Sequence, residues 1–201
     1  MSSFMLVAGA PSAKFLKFLT VPVDVVPGRP PTGAFAGLHP PRPFAFRLQD
    51  VVVAASRFLF VQSDRSAPPS NMVREWQAIL VWEIEHFWDV DISTNSLEPT
   101  YAATRIFTTE HSTRSGEHLA AGIALLYADQ LPWMNVAACE FFPGSGPRPD
   151  FVVPISLANN KLVGLEARCR AYTASLDEET EVKPIEAKKN HPVFDEMLAV
   201  Y

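Results

Sequence analysis

The sequence predicts an α/β protein: a small mixed β-sheet flanked by helices, preceded by a β-rich N-terminal extension. Three observations predict it. Two short apolar runs, at 150–153 and 162–168, flank the polar turn residues Ala158, Asn159, Asn160 and Lys161, as in two strands joined by a loop. Two longer stretches, near 71–88 and 115–131, repeat apolar residues at helical spacing. From residue 113 to 172 the signals run helix, strand, strand, strand.

Composition narrows the class. A chain of 201 residues can form one domain with a real core, or a core with an extension. Hydrophobic residues make up 48% and charged residues 19%, as in water-soluble globular proteins. The net charge of -5 gives no general attraction to polyanions, so any nucleic-acid contact needs a local basic patch. Cys139 and Cys169 lack zinc-ligand spacing and are too few for a disulfide scaffold; they read as reduced, buried thiols of a cytoplasmic protein. The apolar run 119–127 falls short of the ~20 residues that span a bilayer. The apolar run 4–10 precedes Lys14 and Lys17, the reverse of a secretory signal.

In chain order, residues 1–27 hold strand-like runs at 4–7 and 15–26. Residues 27–43 are crowded with proline, which removes amide donors and fixes the backbone, so a loop or extended arm is expected. Strand-like composition returns over 44–61. Ser70 or Asn71 then caps a helix reaching about Trp88, with Val73, Trp76, Leu80, Ile84 and Phe87 on its apolar stripe and Met72 and Ile79 beside it. Glu83 falls inside that stripe and reads as an ion-paired glutamate or an acid supporting a site. Residues 89–100 read as a polar turn region, and 101–109 as a short strand containing Arg105. This N-terminal portion, 1–110, shares the core or offers a surface to a protein partner.

The second portion, 111–201, opens with a helix capped by Thr113 or Ser115. Glu117 then sits in its first turn, where the helix dipole favours a carboxylate. Leu119, Ile123 and Leu126, with the small Ala120, Ala121, Gly122 and Ala124, form a close-packing face, and the helix stops before Pro132. His111 and His118 bracket the helix start, and His118, next to Glu117, reads as an exposed helix-start histidine or a residue that assists catalysis. A strand over 135–142, a tight turn over 143–147 and the two strands bearing Asp150 and Glu166 follow. Strand parity puts Val163, Leu165, Ala167 and Cys169 on the core face, and Glu166, Arg168 and Arg170 on the other. Residues 177–181 are a solvated acidic stretch, and 184–201 form an amphipathic helix interrupted at Pro192.

Pro149-Asp150 followed by Glu166-Ala167-Arg168, behind a helix bearing Glu117, resembles the PD-(D/E)XK, or restriction endonuclease-like, nuclease superfamily. The resemblance covers roughly residues 112–172 and departs at Arg168, where the family has lysine. It implies metal-dependent hydrolysis of nucleic-acid phosphodiesters, DNA favoured over RNA. It also implies that Mg2+ or Mn2+ is held by Asp150, Glu166, the Ala167 carbonyl and Glu117, with Arg168 facing the phosphate. Hard cations of this kind take carboxylate and carbonyl oxygens. Arg168 supplies the charge of the family's lysine but cannot accept a proton. A second reading is therefore a non-catalytic subunit or interaction protein on the same fold. A third has Asp150 capping a turn and Glu166 paired with Arg148, Arg168 or Arg170 on a solvated sheet face. Neither Gly9–Lys14 nor the Gly144-Ser145-Gly146 turn carries the context of a phosphate loop or nucleophile elbow.

Overall fold

The computed structural model describes residues 12–21, 43–58, 70–91, 93, 96–101, 109–131, 140–141, 150–154, 162–167 and 196–200. A single helical turn, α1 (Ala13–Leu16), leads into β1 (Phe18–Val21), which pairs antiparallel with β2 (Phe44–Arg47). Phe44 and Phe46 are buried on either side of an exposed Ala45, the period-two pattern of a half-covered strand.

The strand expected over 44–61 ends at Arg47. Leu48 begins a helix, α2 (Leu48–Phe58). The three consecutive valines imitate a strand, but Leu48, Val51, Val52 and Ala55 fall at helical spacing and are all buried. A valine costs less than about 1 kcal/mol relative to alanine in a helix, whereas burying its side chain gains roughly 1.5–3 kcal/mol. Packing therefore outweighs propensity.

α3 (Ser70–Phe87) forms as its periodicity predicts, with Leu80, Ile84 and Phe87 buried. Lys14, far away in sequence, closes its C-terminal end. Its ammonium donates to the carbonyls of Ile84 at 3.1 Å, Glu85 at 3.0 Å and Trp88 at 3.0 Å. Three donors thus meet carbonyls at or next to the negative end of the helix dipole. Burial holds the Lys14 ammonium below its ordinary value, and the Glu85 and Asp89 carboxylates pull it back up.

The expected polar turn at 89–100 is instead a hairpin of β3 (Trp88–Asp91) and β4 (Ser96–Pro99), with Trp88 opposite Pro99. Trp88, Val90 and Leu97 pack on the neighbouring core. Polar residues fill the alternate positions and hid the strands. Ser93 donates its N–H and hydroxyl to the Asp91 carboxylate at 2.8 and 2.6 Å, which ties down the turn.

α4 (Thr109–Asp129) is the spine of the molecule. It starts before Thr113, with Glu110 in its first turn, so Ser115 is buried inside the helix rather than capping it. The Ser115 hydroxyl accepts a hydrogen bond from Trp88 Nε1 at 2.9 Å.

Four strands follow: β5 (Glu140–Phe141), β6 (Phe151–Pro154), β7 (Leu162–Ala167) and β8 (Glu196–Val200). They form one sheet in the order β5-β6-β7-β8. The first three are antiparallel neighbours, and β8 runs parallel to β7. The C-terminal helix expected over 184–201 is therefore replaced at 196–200 by a strand. Four consecutive apolar residues, 197–200, suit a parallel strand and carry no helical period of their own.

Two apolar clusters meet along α4. In one, Ala121, Ala124, Leu125 and Ala128 pack against Phe151, Val153, Val163 and Leu165 of the sheet, with Ala54 of α2. In the other, Leu119 joins Phe15, Leu19, Phe44, Phe46, Leu48, Val51, Val52, Ala55, Leu80 and Ile84. Tyr127 touches both, edge-on to Phe44 at 5.4 Å, and burial pushes its phenol up. The segments on either side of residue 110 thus share a packed boundary, where α2 lies along α4. The proline-crowded stretch up to residue 42, residues 102–108, both cysteines, Arg148, Arg168, Arg170, the 143–147 turn and the acidic 177–181 run lie outside the described residues. No described helix is long and apolar enough to cross a membrane.

Candidate functional site

The site is built from the register of β6 and β7. Phe151 pairs with Leu165 and Val153 with Val163, and all four belong to the cluster against α4. Alternation then sends Val152 and Glu166 to the opposite face. Continuing the register by one step sets Asp150, just before β6, across from Glu166. The predicted parity of β7 is thus observed.

The face turned away from α4 is not solvated. Val152 is buried, and Glu166 is only 1% exposed. This corrects the reading of Glu166 as a residue of a solvated sheet face. Leu165 and Glu166 are buried on successive, opposite faces, so β7 is covered on both sides.

Asp150 is half-buried, and its Oδ2 accepts the Ala167 N–H at 2.9 Å. The bond fastens the residue before one strand to the residue after Glu166 on the next. Two carboxylate-bearing positions are therefore held side by side. Facing like charges are unfavourable, and a buried carboxylate requires donors or positive charge close by. A divalent cation with hard oxygen ligands satisfies both demands.

Glu117 is placed differently. Because α4 begins at Thr109, Glu117 lies two turns inside the helix and is exposed, away from the dipole position expected for it. Among the described residues, no three His, Cys, Asp or Glu side chains gather closely enough to hold a metal ion. The structure brings Asp150, Glu166 and Ala167 together and leaves Glu117 outside any such cluster. Arg168 lies outside the described residues.

His118, expected to be exposed, is buried. Its Nδ1 lies 2.8 Å from Glu83 Oε2, and both side chains are largely shielded from water. This polar contact ties α4 to α3 and accounts for the glutamate in the α3 apolar stripe. The signal was in the sequence: His118 stands three and seven residues before Ala121 and Leu125, on the face α4 buries.

Comparison with known proteins finds no similar protein: no family model, no curated protein and no solved structure matches the chain.

Proposed function

We propose that this chain is a metal-dependent phosphodiesterase of the PD-(D/E)XK type acting on nucleic acid, with DNA favoured over RNA. The observation that carries the reading is the placement of Asp150 across from Glu166, fastened by the Asp150–Ala167 hydrogen bond. The sheet order supports it as well. A helix followed by three antiparallel strands is the order the resemblance implies, and a fourth strand runs parallel to the third.

Asp150 and Glu166 would hold Mg2+ or Mn2+. In an extended strand the N–H and C=O of one residue project to the same side, so the Ala167 carbonyl shares the Asp150 side of β7. When bound, the ion offsets charge on the phosphoryl oxygens and acidifies water. The chain's own residues contribute the rest. Asp150 and Glu166 fix the site, and burial around Glu166 excludes bulk water, which strengthens every charge interaction there. Arg168 offers its guanidinium to a phosphate but takes no proton. Glu117, exposed on α4, stands apart from this pair.

The residue at 168 and the net charge of -5 favour a second reading, a protein on the same scaffold that does not turn over. One experiment separates them. Plasmid, single-stranded DNA and RNA are incubated with Mg2+ or Mn2+ and the wild type, Glu166→Gln, Asp150→Asn or Arg168→Lys. Cutting by the wild type that falls about 100-fold or more in the first two variants, as loss of a metal-holding acid requires, supports the enzyme. Cutting only by Arg168→Lys supports the silent scaffold. Activity undiminished in Glu166→Gln sinks the site.

A further inference from the structure

Between α3 and α4 lies a buried pair whose presence stability alone does not explain. Glu83 and His118 meet at 2.8 Å, with side chains 13% and 6% exposed. Their neighbours in sequence are apolar: Leu80, Ile84 and Phe87 on α3, and Leu119 on α4, are all buried. Taking a carboxylate and an imidazole out of water is costly, and apolar side chains of similar volume in the same place are often as stable or more so. Apolar contact is also non-directional. Among the described residues, Leu119 is the one buried α4 residue in the cluster that holds Leu80 and Ile84. So few knobs specify the position of α3 along α4 only weakly.

A second polar contact lies about one turn away. Trp88, directly after α3, donates its indole N–H to the Ser115 hydroxyl at 2.9 Å, and Ser115 is buried. Glu83 and Trp88 are five residues apart, Ser115 and His118 three, and the two contacts run in opposite chain directions. They therefore fit one axial placement of two antiparallel segments. Hydrogen bonds demand distance and direction, so a slip of one helical turn, about 5.4 Å, breaks both contacts at once. Water does not replace lost partners in a buried interface, and the slipped state is penalised. The same end of α3 is held from α1 by Lys14, whose ammonium donates to the carbonyls of Ile84, Glu85 and Trp88.

We propose that the Glu83–His118 pair is a register device. With the Trp88–Ser115 bond it sets where α3 lies along α4, and it supplies specificity of packing rather than stability. Fixing register is the best-attested role of a polar group buried in a helix interface. Without the pair, α3 stays on the core through Leu80, Ile84 and Phe87 but samples more than one placement. The inference does not depend on the phosphodiesterase reading.

The test uses the full chain and three variants: Glu83→Leu, His118→Leu and the double Glu83→Leu/His118→Leu. Thermal unfolding should put each single variant about 10 °C or more below the wild type, because each keeps half of a buried pair. The double variant should melt above both singles and within about 5 °C of the wild type. Placement is read separately by NMR, from the indole N–H signal of Trp88. That signal is assigned by its loss in Trp88→Phe or its shift in Ser115→Ala. The wild type should give one Trp88 signal. The double variant should give two or more, or one broadened by exchange. A folded double variant with a single sharp Trp88 signal overturns the proposal, because apolar packing then sets the register. A double variant that melts no higher than the singles, or does not fold, also overturns it, because the pair is then a contact that stabilises.

Discussion

Asp150 and Glu166 differ in what they ask of their surroundings. Asp150 holds a backbone amide and is half open to water, whereas Glu166 is almost wholly buried one strand away. The hydrogen bond and the charge of Asp150 can be removed separately. Asp150→Asn keeps an oxygen for the Ala167 N–H and removes a negative charge facing Glu166. It should fold as stably as the wild type and lose the rise in melting temperature that Mn2+ gives a chain with a preserved site. Asp150→Ala orphans the amide and should cost about 1–2 kcal/mol in urea unfolding without metal. Equal Mn2+ gains in all three proteins would deny Asp150 any part in holding the ion. Both residues were readable in the sequence, because proline before an acid and an acid inside an apolar strand are local signals. The burial of Glu166 was not, because it depends on what covers the second face of the sheet. The position of Glu117 was misread for a related reason. Two plausible caps, Thr113 and Ser115, stood inside a helix that starts earlier.

At the scale of elements, the decisive contact is α2 against α4. A Cβ on Gly122 would lie 2.7 Å from both Cγ1 and the carbonyl oxygen of Val51, and 3.1 Å from Ala55 Cβ. A backbone oxygen cannot swing aside, so the helices would have to part. Gly122→Ala gains about 1 kcal/mol of helix propensity, yet overpacking costs roughly 1–3 kcal/mol. The net effect should be a loss of up to about 2 kcal/mol, with Gly122→Val well beyond it, measured by thermal or urea unfolding. A more stable Gly122→Ala would mean that the two helices can separate freely. The small residues of α4 announced such an approach, but not its partner. α2 itself was hidden, since three valines in a row carry a strand's composition and only their burial pattern reveals the helix. The β3–β4 hairpin was hidden the opposite way, by aspartates at alternate positions of a short strand.

For the molecule as a whole, the helix-and-sheet class was readable because long periodic segments and alternating strands are local. The parallel partner of β7 was not, because nothing within residues 196–200 names its neighbour, which lies more than thirty residues earlier. That pairing is open to a direct test. Removing residues 196–201 leaves the β7 edge, next to Glu166, without its neighbour. The truncated chain should lose its cooperative melting transition or aggregate, since an unpaired edge recruits other chains. A sharp, unshifted transition would show that β8 adds nothing to the sheet.

The two clusters along α4 also set a timetable. Every buried residue of the larger one lies between Phe15 and Leu119, and Lys14 reaches the end of α3 from the same stretch. That half can condense as soon as α4 has left the ribosome. Glu166 and β8 emerge later, by several seconds at translation rates of about 5–20 residues per second. The carboxylates are therefore brought together on a platform that is already folded.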